Sequence, residues 1–96
     1  MQDKELELHN RANSARDYFE SVCNTDEMKT FHQAICKNFN MDRVFTIEDV
    51  KYLLYEYEDI KKFGVENFQE NESVVAAINY VNAEKEYYNY INEIYE

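Results

Sequence analysis

Residues 72–96 read ESVVAAINYVNAEKEYYNYINEIYE, and the periodicity of this stretch decides the fold. Asn79, Asn82, Glu86, Asn89, Glu93 and Glu96 recur at spacings of three and four, which is one narrow polar stripe of a helix. Nearly everything else is apolar or aromatic, including Val74, Ala77, Ile78, Tyr80, Val81, Tyr87, Tyr88, Tyr90, Ile91, Ile94 and Tyr95. An apolar arc that wide exceeds what one packing contact needs. Either other helices surround this one or it pairs with a second copy. A homodimer or partner seam over Tyr80, Tyr87, Tyr88, Ile91 and Tyr95 is the favoured expectation.

Working outward, Asn71 is placed to cap this last helix, after an acidic connector over 65–71 with Phe68 turned inward. Upstream, Thr46-Ile47-Glu48-Asp49 is the clearest start signal. It has a threonine cap, an acidic first turn, and a carboxylate positioned to reach back to the cap's amide. A helix is predicted from there to about Lys62, burying Ile47, Val50, Leu53 or Leu54, Tyr57 and Ile60. Gly64 just beyond would stop it. Residues 3 to about 23 carry Leu8, Ala12, Ala15, Phe19 and Val22 at helical spacing. Thr25 is expected to cap a second helix, running to about Asn38 with Met28, Phe31, Ile35 and Phe39 inward. Asn38 to Arg43 reads as a loop. The expectation is an all-α fold: one domain over 1–96, a small bundle of about four helices with a long, Tyr-rich C-terminal helix.

Composition agrees. Zero proline and one glycine impose few breaks, which favours long helices. Nine Tyr and six Phe with no Trp put much of the apolar content into rings. Tyrosine suits half-wet seams better than dry cores. At 96 residues the chain can fold alone with little stability to spare. Two cysteines, Cys23 and Cys36, make no disulfide scaffold, no apolar run approaches a membrane span, and no signal peptide opens the chain. The expected setting is the reducing cytoplasm, with no membrane association.

Charge is the strongest constraint. Twenty acids against ten bases give a formal charge of −10, which disfavours direct contact with nucleic-acid phosphate and favours a cationic partner. The excess is uneven: residues 1–48 carry nine acids and six bases, and 49–96 carry eleven and four. Glu56, Glu58 and Asp59 cluster near the end of the third predicted helix, and Glu66, Glu70 and Glu72 follow across the connector. Successive acids about 5–6 Å apart on a helix face approximate the phosphate spacing of a nucleic-acid strand. Interleaved tyrosines can offer the flat surfaces that bases offer. A solvated charged face around an ordinary core has the same composition.

Catalytic signatures are missing. There is no Gly-flanked serine elbow, phosphate-binding loop or EF-hand run. His32 and Cys36 lie four apart on the second helix, but no Cys-x-x-Cys pair completes a metal site, and such a thiol–histidine pair on a helix is usually incidental. The expectations are no enzyme, no metal and no cofactor. A third class, a DNA-binding regulator with the second and third helices as helix-turn-helix, is disfavoured by charge, because the third helix, which would be the reading one, is net acidic.

In size, acidity and Asn/Tyr/Glu richness the whole chain resembles small phage and mobile-element proteins that disarm bacterial defence, such as anti-CRISPR and DNA-mimicking antirestriction proteins. The resemblance lies in composition and transfers no residue roles. It implies stoichiometric inhibition of a basic, nucleic-acid-handling effector in a bacterial host, with nucleic-acid loading or an activating step blocked. The alternative is a helical regulatory or assembly subunit joined through the Tyr-rich helix.

Overall fold

The computed structural model describes residues 3–95, so Glu96 of the polar stripe lies outside the described residues. Among the described residues five helices follow one another: α1 (Asp3–Val22), α2 (Thr25–Asn38), α3 (Ile47–Glu56), α4 (Glu58–Asn67) and α5 (Glu72–Tyr95). Side-chain oxygens set three of the starts. Asn71 Oδ1 accepts the Val74 N–H at 3.1 Å and Thr46 Oγ1 accepts the Asp49 N–H at 2.9 Å, both as expected. The cap of α2 is Asn24 and not Thr25: Asn24 Oδ1 accepts the Glu27 N–H at 3.0 Å, and Thr25 is the first helical residue. Asparagine and threonine are both competent caps, and here the extended backbone falls at Asn24.

The predicted third helix is two helices. Tyr57 is extended (φ −119°, ψ 107°) and breaks the run between α3 and α4. The break strands no backbone group at Tyr57, because its N–H donates to the Leu53 carbonyl and its own carbonyl accepts from Ile60 and Lys61. Gly64 therefore does not terminate a helix. It has no positive φ, it sits inside α4, and its carbonyl accepts the Phe68 N–H that closes the helix. Packing decides this. A straight helix would carry Gly64 about 21 Å from Val50 at 1.5 Å per residue. With the bend, Val50, Leu53, Leu54, Ile60 and Gly64 are all buried, and Tyr57 is left 43% exposed.

The core gathers Phe19, Met28, Phe31, Ile35, Val50, Leu53, Leu54 and Ile60 around Val74, Ala76, Ala77, Ile78 and Val81 of α5. Phe31 is its centre, with Phe68 edge-on at 4.8 Å and Phe63 stacked at 6.4 Å. The inward placement of Phe68 is thus found, with the ring half-buried. Ser73 is the buried polar tie. Its hydroxyl accepts from the Asn24 N–H at 2.8 Å and faces Glu27 Oε1 at 2.8 Å, fixing the α1–α2 corner to the first turn of α5.

α1 lies antiparallel along α5: Tyr18 meets Glu72, Arg11 meets Glu86, His9 meets Tyr87 and Tyr95 meets Glu5. Much of the wide apolar arc on α5 is therefore covered within the chain. α2, α3 and α4 contact the same helix, and its last buried residue is Ala83. Beyond it Lys85 still reaches Tyr55 and Glu58, α1 runs alongside, and the molecule extends to 43 × 28 × 22 Å. No described helix is long and apolar enough to cross a membrane.

Asp49 departs from its expected role. Its carboxylate does not turn back to the cap. It accepts from Arg43 Nε and Nη2, at 3.0 and 2.6 Å, and from His32 Nε2 at 2.9 Å. The Arg43 hydrogen bonds hold the Asp49 carboxyl below the usual carboxylate range, with His32 adding to the effect and burial opposing it.

Two tests follow. A Cβ at Gly64 would stand 3.0 Å from Phe31 Cζ and 3.1 Å from Ile78 Cδ1. Gly64→Ala gains about 1 kcal/mol of helix propensity but overpacks a closed core at a cost of about 1–3 kcal/mol. Urea unfolding should show a net loss of about 1 kcal/mol, partly recovered in the double variant with Phe31→Leu. For Asp49, a folded pKa below the unfolded one, which is about 4, contributes stability above that pH and loses it as pH falls through the folded value. Asp49→Asn should lower the unfolding midpoint at neutral pH and flatten the acid limb of a stability–pH curve.

Candidate functional surfaces

Five of the six acids expected to form a partner surface separate into two groups at the ends of α4. Glu56, Glu58 and Asp59 rim a groove of about 240 Å³ at the α3–α4 corner, floored by Phe39, Met41, Tyr57 and Ile60. Glu66 and Glu70 border a wider hollow of about 490 Å³ at the α4–α5 connector. Asp59 and Glu66 are seven apart on α4, hence on the same face and about 10 Å apart along the axis. This is twice the spacing anticipated from the sequence, and Lys62 stands between them on that face. Glu72 belongs to neither group, because its carboxylate accepts the Tyr18 hydroxyl at 2.7 Å. That contact raises the pKa of the Tyr18 hydroxyl.

The acids also differ in how far they are already neutralised. Glu58 pairs with Lys61 at 3.2 Å and Lys85 at 3.5 Å, and those ammonium groups hold its carboxyl below the ordinary range. Glu56, Asp59, Glu66 and Glu70 are exposed and form no ion pair among the described residues. They carry the uncompensated field. Glu27 joins the Glu66–Glu70 hollow from α2. No local pattern could have placed it there, since the meeting depends on the Ser73 tie.

The tyrosines expected on one seam of α5 face different neighbours. Tyr80 is half-buried, with the Lys51 ammonium 5.3 Å from its ring centre, and burial together with Glu84 pushes its hydroxyl up to about 12. It divides two hollows. One, of about 380 Å³ between α3 and α5, is lined by Glu48, Tyr52, Tyr55, Glu84 and Tyr88. The other, of about 350 Å³ between α1 and α5, is lined by His9, Asn13, Arg16 and Tyr87. Tyr87 stacks obliquely on His9 at 5.3 Å, and Ile91 is half-buried. Tyr88 (48% exposed) and Tyr95 (63%) remain outside. Tyr95 donates to Glu5 at 2.8 Å, which raises its pKa. Three cations lie over tyrosine rings here: Arg43 on Tyr52, Lys51 on Tyr80 and Lys85 on Tyr55.

Among the described residues no group of three or more His, Cys, Asp or Glu side chains is arranged to hold a metal ion. Comparison with protein-family models, curated proteins and solved structures finds no match, and the surfaces stand on their own geometry.

Proposed function

We propose that this protein is a non-catalytic inhibitor that docks on a basic, nucleic-acid-handling partner such as a CRISPR or restriction nuclease complex. It does so through the acids grouped at the two ends of α4, and it blocks nucleic-acid loading or activation. The observation that carries the reading is the exposure of Glu56, Asp59, Glu66 and Glu70 without cationic partners among the described residues, in a chain of net charge −10. Six of the ten bases are engaged in internal ion pairs, so the remaining field is strongly negative at both ends of α4. A channel built for phosphate attracts such a surface before contact. Phe39, Met41 and Tyr57 beside the Glu56–Asp59 group supply the apolar anchor that charge alone lacks. The working compartment in this reading is the cytoplasm of a bacterial host.

A second reading, a helical assembly subunit, draws on the distal part of α5. Tyr88 and Tyr95 are exposed there, on the arm along which α1 runs. One experiment separates the two. In a panel of guided and restriction nucleases, DNA cleavage should be inhibited at low salt and recover steeply as salt rises. The triple reversal Glu56→Lys, Glu58→Lys, Asp59→Lys should abolish inhibition, while Glu93→Lys leaves it intact. Inhibition that survives the triple reversal but fails in Tyr88→Ala or Ile91→Ala, with a change of mass in light scattering, would establish the assembly reading instead.

A further inference from the structure

We propose that Cys36 is an activated thiol, coupled through His32 to Asp49, and a site of reversible mixed-disulfide formation with small disulfides of the glutathione class. The helix brings the first pair together: Cys36 Sγ lies 3.7 Å from His32 Nδ1, four residues away. The tertiary fold adds what the helix alone could not. Asp49 arrives from α3, 2.9 Å from His32 Nε2, and Arg43 from the α2–α3 loop grips the same carboxylate.

The chemistry of the acceptor assigns the proton. A carboxylate held by a guanidinium can only accept, so Nε2 carries the hydrogen and donates it to Asp49. Nδ1 is then left with its lone pair toward the sulfur, and the thiol is the donor. The ring cannot turn away. His32 is 2% exposed, and Phe45 packs edge-on against it at 5.5 Å. The order is thiol, imidazole, carboxylate, with the outer group fixing the tautomer of the middle one. The histidine is buried, whereas Cys36 is only half-buried.

The step balances. His32 Nδ1 takes the thiol proton, and the thiolate attacks one sulfur of glutathione disulfide. A new S–S bond forms at Cys36 as the reagent's own S–S bond breaks. The departing glutathione thiolate takes the proton from the imidazolium and leaves as the thiol. Cys36 is oxidised, and the released glutathione half is reduced. Cys23 is the internal control. It is half-buried as well, but burial and the Glu27 carboxylate push its thiol up, and no histidine hydrogen-bonds to it among the described residues.

The test is timed incubation of the whole protein with glutathione disulfide, with site occupancy read by peptide mass spectrometry. In the folded protein Cys36 should gain the glutathionyl group at least ~10-fold faster than Cys23, and the ratio should fall toward one in urea. His32→Gln should bring Cys36 down to the Cys23 rate without changing Cys23. A native ratio near or below one overturns the proposal. A ratio that persists in a folded His32→Gln protein also overturns it, because exposure and not the relay would then set the rate. Should that variant lose its helical circular dichroism, the ring-nitrogen NMR shifts of His32 in the unaltered protein decide. The Nε2–H tautomer, with an Nδ1 shift that moves when Cys36 is alkylated, upholds the relay. The Nδ1–H tautomer overturns it.

Discussion

A missing side chain at Gly64 lets three helices meet. The Phe31 ring of α2 and the Ile78 side chain of α5 both come within about 3 Å of where a Cβ on α4 would be. No other residue type fits that approach without moving one of them. The bend at Tyr57 follows from it, because α4 reaches the α2–α5 interface only if α3 ends first. Small residues continue the same logic on α5. Ser73, Ala76, Ala77 and Ala83 are buried and let neighbouring backbones come close, while the rings of Phe31, Phe63 and Phe68 fill the remaining space. A chain of this size has room for one such centre, which leaves the far end of α5 outside it.

What could be read in advance was local. The Thr46 and Asn71 caps, the apolar stripes of α1 and α2, and the helical character of residues 72–95 each depend on residues within a few positions of one another. Gly64 was misread for a physical reason: glycine after a lysine pair marks helix ends by its backbone freedom, yet here its small size matters and its φ is ordinary. Asp49 was misread similarly. Position favoured a return to the cap amide, but a guanidinium and a buried imidazole are stronger partners than one exposed N–H. The six acids were legible as a composition and illegible as a surface. Whether each is free, paired or bonded to tyrosine depends on Lys61, Lys85 and Tyr18, and two of these come from other helices.

Pairing divides the two ends of the molecule by character. At the open end, Arg11 with Glu86 and Tyr95 with Glu5 link α1 to α5 through exposed polar contacts, and Glu7 braces Arg11 within α1. Exposed pairs of this kind contribute little each and weaken with salt. At the other end, the Ser73 tie and the Arg43–Asp49–His32 chain sit against a packed core. Opening should therefore begin along the arm, while α2, α3 and α4 keep their arrangement.

That order bears on how an acidic surface can act. A binding face loses least entropy on docking when its backbone is already fixed. The acids of α4 stand on the helix that Gly64 locks to Phe31 and Ile78, so their spacing is set by the core and not by the partner. The exposed tyrosines of the arm stand beyond the last buried residue of α5, Ala83. A salt-sensitive encounter with a preformed channel suits the first surface, and mutual adjustment between helical partners suits the second. Cys36 lies on the rigid side, where a group added to its sulfur would displace the Nδ1 hydrogen bond beside the Asp49 clamp.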